Sequence, residues 1–264
     1  MSRSGYIFDD AQHAAELERL QAIEAVFDPA TERRLLATGL APGWRCLEVG
    51  AGAGSIARWM SARVGAGGYV AALDKNPRFL RLEAPDNLAV IEGDIRTHPL
   101  EAAAFDLVHA RYVLIHIADA AAALSAMVRC LKPGGWLVLE EPDFSVATTL
   151  AGDSLQRQAF DNVYRAIEAL FATGGMDHAF GARIPQLLAD HQLESLDLQH
   201  EALTDRGGSP LALMMHRSTD QLADKYIATG KATGQDIDEF LRFTTDDDGW
   251  AVYYAHVSGS ARKG

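Results

Sequence analysis

The chain of 264 residues is short of several things. It has two cysteines, Cys46 and Cys130. Cys46 falls in an apolar strand pattern and Cys130 in an amphipathic helical one, so both read as buried free thiols. No Cys/His spacing of the metal-binding kind is present, and no metal is expected. Positive charge is scarce: 24 Lys and Arg stand against 36 Asp and Glu, a formal net charge of −12. Affinity for nucleic acid comes mainly from neutralising phosphates, so an acidic chain without a basic run is expected to bind neither DNA nor RNA, nor an anionic membrane surface. No stretch approaches the ~20 apolar residues of a membrane span. The opening MSRSGYIFDD lacks the apolar core of a signal peptide, and a cytoplasmic protein is expected. The G-x-S-x-G turn of a hydrolase nucleophile is absent.

What is present is apolar material in a regular order. Apolar residues make up 48% of the chain, enough for a sizeable core. Asp9–Phe27 reads as a helix with Leu17, Leu20, Ile23 and Phe27 near one face. Asp28 then reads as the cap of a second helix, with Pro29 at its first position and Gly39 at its end. From Gly43 strands and helices alternate: strands at Trp44–Val49, Tyr69–Leu73, Leu88–Glu92, Phe105–Ala110 and Trp136–Glu140, and helices at Ser55–Val64 and around Leu124, Met127, Val128 and Leu131. Short continuous apolar strands between helices imply a parallel sheet covered on both faces. After Asp143, residues 151–191 read as two helices broken around Thr173-Gly174-Gly175. Leu193–Leu203 and Trp250–Val257 read as the last two strands, with helices at Pro210–Thr229 and Asp236–Phe243 between them. The expected fold is thus α/β, a doubly wound, mostly parallel seven-stranded sheet with N-terminal helices and a helical cap. Its segments are a helical lid over 1–40, an α/β core over 41–145, and cap insertions with the last two strands over 146–264.

The chemistry centres on Leu47-Glu48-Val49-Gly50-Ala51-Gly52-Ala53-Gly54-Ser55, which closes the first strand and opens a helix. A sharp strand-to-helix turn needs residues tolerant of unusual φ/ψ, and bare backbone lets a ligand approach. Ligands of such sheets bind beyond the carboxyl ends of the strands. The spacing departs from the dinucleotide fingerprint G-x-G-x-x-G, because the third glycine comes one residue early at Gly54. Instead, Glu48 with Gly50, Gly52 and Gly54 resembles the first motif of class I S-adenosylmethionine-dependent methyltransferases of the small-molecule type. Over roughly residues 41–145 further motifs resemble that family: Asp74 ending the second strand, Gly93-Asp94-Ile95 ending the third, Phe105 to Arg111, and Leu131-Lys132-Pro133-Gly134-Gly135 before the fifth.

The resemblance implies S-adenosylmethionine as cofactor. The glycines would make room for its methionine part and Glu48 would help hold its ammonium. Asp74 would accept hydrogen bonds from the ribose hydroxyls, with Lys75 beside the adenosine. Asp94 would take the adenine amino group and the backbone of Ile95 a ring nitrogen, and the strand end at Ala110 and Arg111 would pass under the cofactor. Tyr6 and Phe8 also resemble the segment that covers the cofactor in this family. Methyl transfer needs positioning above all, and a base where the acceptor is a phenol, hydroxyl or amine. Candidate bases are Asp143, His116 and His178. Arg111 is expected to pair with a carboxylate or an anionic substrate group. A substrate cavity is expected to draw on Tyr112, Phe160, Tyr164, Phe180 and Met214. The partner would be a small molecule of specialised metabolism, aromatic or polyketide-like, and a homodimer stays open. Two other readings stay open too: a protein that binds this cofactor for a reaction other than methyl transfer, and a nicotinamide-dependent oxidoreductase.

Overall fold

The structure is a computed structural model that describes residues 13–80 and 84–264, so Tyr6 and Phe8 lie outside the described residues. The chain divides into two compact units. The first holds the described residues up to Val26 together with Pro142–Gly181 and His200–His256. The second holds Phe27–Glu141, Ala182–Gln199 and Val257–Gly264. The core over 41–141 falls in the second unit, and residues 146–264 are shared between the two.

Helix α1 runs His13–Ala37. Strands β1 (Arg45–Val49), β2 (Tyr69–Asp74), β3 (Leu88–Glu92), β4 (Phe105–Arg111) and β5 (Leu131–Asp143) alternate with helices α2 (Ser55–Val64) and α3 (Ala120–Cys130). Then come β6 (Thr148–Ala151), α4 (Ser154–Thr173), α5 (Ile184–Asp190), β7 (Glu194–Arg206), α6 (Pro210–Ala228), α7 (Gly234–Phe243) and β8 (Trp250–Arg262). The strand order is β3-β2-β1-β4-β5-β8-β6, with β7 beside β8. The pairs from β3 through β5 are parallel and β6 pairs antiparallel with β8. The strand order reverses at β1, whose neighbours are β2 on one side and β4 on the other. The sheet therefore has eight strands where the pattern implies seven. The extra one, β6, is four residues long, too short for alternation to register.

The N-terminal helices are a correction. One helix runs through Pro29, and Asp28 is not a cap. Pro29 faces solvent, so the backbone carbonyl it deprives of a partner can turn to water. The opposite face stays continuous across it, with Phe27, Thr31 and Leu35 all buried at i, i+4 and i+8. In the first unit the same helix buries Glu16 and Arg19, joined at 2.8 Å, whereas Leu17, Leu20 and Ile23 are only half-buried.

One face of the second unit's sheet explains the site. Side chains on a strand alternate between faces. Cys46 on β1, Val70 and Ala72 on β2, Leu107 on β4 and Val138 on β5 share one apolar cluster with Leu35 of α1 and Ile56 and Met60 of α2. Two residues further along the same faces come Glu48, His109 and Glu140, then Arg111. The face beneath α1 is thus apolar along the strands and ionic at their carboxyl ends. Cys46 behaves as a small hydrophobe, fully buried, and burial raises its thiol far above the usual range.

The first unit is built on α4, α6 and α7, which pack on one another. Helix α4 starts with a capping box in which Asp153 and Gln156 bond reciprocally to backbone N–H groups. Its apolar face carries Phe160, which stacks on Tyr164 at 4.4 Å and meets Phe240 at 5.6 Å, Phe243 at 5.7 Å and Tyr253 at 6.1 Å.

Candidate active site

The glycine turn lies at the switch point of the sheet, between the ends of β1 and α2. Gly50, Gly52 and Gly54 all have positive φ, at 68°, 56° and 93°. A Cβ on Gly50 would run into the side chain of Val113, and one on Gly54 into Leu80. The turn is therefore closed to any larger residue at these two positions. Asp74, at the end of β2, reaches across the switch point. Its Oδ2 accepts the Gly52 N–H at 3.0 Å and its Oδ1 the Asn76 N–H at 2.8 Å. The structure thus brings together the glycines, Glu48 and Asp74.

Asp94 is held in a two-pronged pair by the Arg96 guanidinium, at 3.0 and 2.6 Å, and Lys75 Nζ lies 3.1 Å from its Oδ2. The Arg96 hydrogen bonds hold the Asp94 carboxyl well below the usual carboxylate range. Oδ1 also accepts the Arg96 backbone N–H at 3.0 Å, so Arg96 and Lys75 already meet both oxygens twice, and a ligand amino group would have to displace one of them. Ile95 and Ala110 are buried.

His109, Glu140 and Thr31, which carried no role in the sequence reading, join Glu48, Arg111 and Asp28 in one ionic network. His109 is fully buried. Its Nδ1 lies 2.7 Å from Glu48 Oε2 and its Nε2 3.1 Å from Glu140 Oε1. Glu140 Oε2 accepts the Thr31 hydroxyl at 3.1 Å, and Thr31 Oγ1 accepts from Arg111 at 2.8 Å. Arg111 also pairs with Asp28 Oδ1 at 2.8 Å, so its side chain takes the salt-bridge role. Burial pulls the His109 imidazole down, but Glu48 and Glu140 outweigh it and carry its pKa up to about 9. Burial likewise opposes the Arg111 charge, and Glu140 and Asp28 outweigh that too, so its pKa rises.

Glu141 serves the backbone instead. Its carboxyl accepts the N–H groups of Val113, Leu114 and Ile115 at 3.1, 2.7 and 3.2 Å. Burial pushes it up to about 8 against those three donors. This pins the turn after β4, which carries Val113 against Gly50. Tyr112 just before it sits at φ 56°, an unusual place for an aromatic residue, with its ring edge-on to Phe27 at 5.2 Å. Glu140 and Glu141 are both committed to protein partners, and no group of three metal-ligating side chains occurs among the described residues.

The three candidate bases are divided between the two units. His116 ends a single 3₁₀ turn in the second unit. Asp143 and His178 lie in the first, where the His178 carbonyl accepts the Phe144 N–H at 3.0 Å. Asp143 is buried and accepts the Ser145 N–H and hydroxyl at 2.9 and 2.6 Å. Its other oxygen lies 3.5 Å from Nε2 of His200, a half-exposed histidine on β7 that carried no signal in the sequence beyond strand alternation.

Of the expected substrate-cavity residues, Phe160, Phe180 and Met214 are exposed by only 1, 2 and 4% and lie within the first unit. Tyr164 spends its hydroxyl on the Tyr253 carbonyl at 2.5 Å. The aromatic spacing of α4 belongs to its helix–helix packing.

Residues 47–139 match the family described as "Methyltransferase domain". Among curated relatives, methyltransferase str2 of Strobilurus tenacellus is 36% identical over 107 residues, covering 39% of this chain and 37% of that protein. The ubiquinone/menaquinone biosynthesis C-methyltransferase UbiE of Idiomarina loihiensis is 29% identical over 121 residues, covering 43% of this chain and 48% of its own. The chain thus spans less than half the length of these relatives. In fold it is similar to a phosphoethanolamine N-methyltransferase 2 of Haemonchus contortus, with a TM-score of 0.63 at 17% identity, covering all of this chain and 60% of that one. No described helix is long and apolar enough to cross a membrane.

Proposed function

We propose that this protein transfers the methyl group of S-adenosylmethionine to a small-molecule acceptor, at oxygen, nitrogen or carbon. The observation that carries the reading is the Gly50–Gly54 turn at the switch point of the sheet, three glycines at positive φ whose middle N–H is held by the Asp74 carboxylate. In this reading Glu48 holds the ligand's ammonium and the turn its methionine part. Asp74 accepts the ribose hydroxyls, and Asp94 and the Ile95 backbone read the adenine. Lys75 lies beside the adenosine and the Ala110–Arg111 strand end runs beneath it. When bound, the cofactor supplies an electrophilic methyl group. The chain's own residues orient the acceptor and take up its proton. Of Asp143, His116 and His178, we favour Asp143, whose buried carboxylate can orient His200 as a proton acceptor. Tyr112 is proposed as a wall of the acceptor site. The acidic chain favours a small molecule over nucleic acid, as does the quinone-pathway activity in the name of the UbiE relative.

The test is incubation with methyl-labelled S-adenosylmethionine and a panel of phenols, carboxylic acids, amines and enolisable carbonyl compounds. Label should appear in one class, with S-adenosylhomocysteine formed in equal amount. Binding without any transfer across the panel overturns the methyl-transfer reading. Binding of NAD in place of S-adenosylmethionine overturns the cofactor.

A further inference from the structure

We propose that His109 is a positioning residue for the cofactor: its ring, held between Glu48 and Glu140, fixes the Glu48 carboxylate to receive the α-ammonium of the ligand's amino-acid part. The inference rests on the cofactor reading above for the identity of the ligand. The geometry of the ring carries the rest. Both nitrogens face a carboxylate oxygen, at 2.7 and 3.1 Å. An ionised carboxylate can only accept, so between two ionised carboxylates both nitrogens donate, which only the imidazolium does. Glu48 and His109 are also direct cross-strand partners on β1 and β4. The register therefore keeps the two side chains next to each other on one face of the sheet.

A buried carboxylate is costly unless it is paired, and the two nitrogens of the ring pair Glu48 on one side and Glu140 on the other. Without the ring, Glu48 would lie buried beside Glu140 with no cation between them. One of the two would then take up a proton, and Glu48 would lose the fixed, charged oxygen that a ligand ammonium needs. His109 acts through Glu48 and need not touch the ligand itself.

Calorimetry on the full chain tests this with two probes. S-adenosylhomocysteine carries the amino-acid part, and 5′-methylthioadenosine has the same nucleoside and thioether without it. His109→Gln should weaken S-adenosylhomocysteine by about tenfold or more while leaving 5′-methylthioadenosine within about twofold. Glu48→Gln should split the two ligands the same way, and the double variant should be no weaker than Glu48→Gln alone. Equal loss for both ligands, unchanged affinity for S-adenosylhomocysteine, or additive losses in the double variant overturns the proposal. Should His109→Gln fail to fold, nitrogen NMR of the wild type decides. His109 should show an imidazolium signature at pH 7.5 that shifts with S-adenosylhomocysteine and not with 5′-methylthioadenosine, and a neutral or unresponsive ring overturns it. A wild type that binds neither ligand instead removes the cofactor reading, and this inference with it.

Discussion

Raising the pH should unload the buried imidazolium and destabilise the fold in a defined window. His109 is fully buried, and the groups facing it are Glu48 and Glu140, with Arg111 linked through Thr31. Its pKa is carried from an ordinary 6.5 up to about 9. A histidine whose folded pKa is raised contributes stability that is whole below 6.5 and is lost as pH rises through 9. The difference corresponds to roughly 3 kcal/mol, a large part of the 5–15 kcal/mol typical of a domain. Urea denaturation of the wild type should therefore show stability falling between about pH 6.5 and 9. Glu141, raised to about 8, adds a fall in the same direction. The control is His109→Gln, which keeps Glu141 and the exposed titrating groups. In that variant no imidazolium stands between Glu48 and Glu140. The part of the fall between about pH 6.5 and 9 that belongs to His109 should then be missing. Wild-type stability that is flat or rising from about pH 6.5 to 9, or a fall of the same size in the variant, refutes the ion-pair reasoning.

Three further outcomes are expected. Asp74→Ala should raise the dissociation constant for S-adenosylmethionine by roughly tenfold to a few hundredfold with the fold intact, since a hydrogen bond to a charged group is worth about 1.5–3 kcal/mol; unchanged affinity by calorimetry would take Asp74 out of the site. Phe160→Ala should cost about 3–5 kcal/mol by denaturant titration, as befits a packed aromatic core. A loss below about 1 kcal/mol with a changed KM would return Phe160 to the substrate cavity. Pro29→Ala should raise the melting temperature, because a proline inside a helix costs about 3 kcal/mol relative to alanine and this one faces solvent, so removing it loses no packing; a lowered melting temperature would mean that Pro29 shapes α1 in a way its exposure does not reveal.

The sheet core was legible because its strands are buried on both faces. Continuous apolar runs such as Val70–Leu73 and Leu137–Leu139 have few other readings. The glycine turn was legible because positive φ narrows the choice of residue to glycine. The ionic network was not, although its trace is there. On one face, β1 reads Cys46 then Glu48, β5 reads Val138 then Glu140, and β4 reads Leu107, His109, Arg111. Three neighbouring strands turn from apolar to ionic at the same height, but seeing this requires their register, which no single strand carries. Asp28 and Pro29 misled for a related reason. Their local preference is to start a helix, and the buried stripe of Phe27, Thr31 and Leu35 overrides it through contacts distant in sequence. The aromatic residues of α4 were readable as apolar and helical, yet core and cavity wall share that spacing, and only burial separates them.

The pairing of Glu48 with His109 also bears on how the sheet finds its alignment. Parallel strands of similar apolar residues can slide past one another with little loss of packing, and a slip by one residue turns every side chain to the other face. Here Glu48 stands opposite His109, and Arg111 opposite Glu140. Sliding β4 by one place would set Ala110 against Glu48 and carry both cations away from the carboxylates that need them. Misalignment would then strand buried charge rather than merely loosen the fit. The network joins residues 31, 61, 80, 83 and 109 positions apart in sequence, so it closes only once α1, β1, β4 and β5 have all arrived. It works as a proofreading step in assembly, admitting a single register among several that the apolar residues alone would accept.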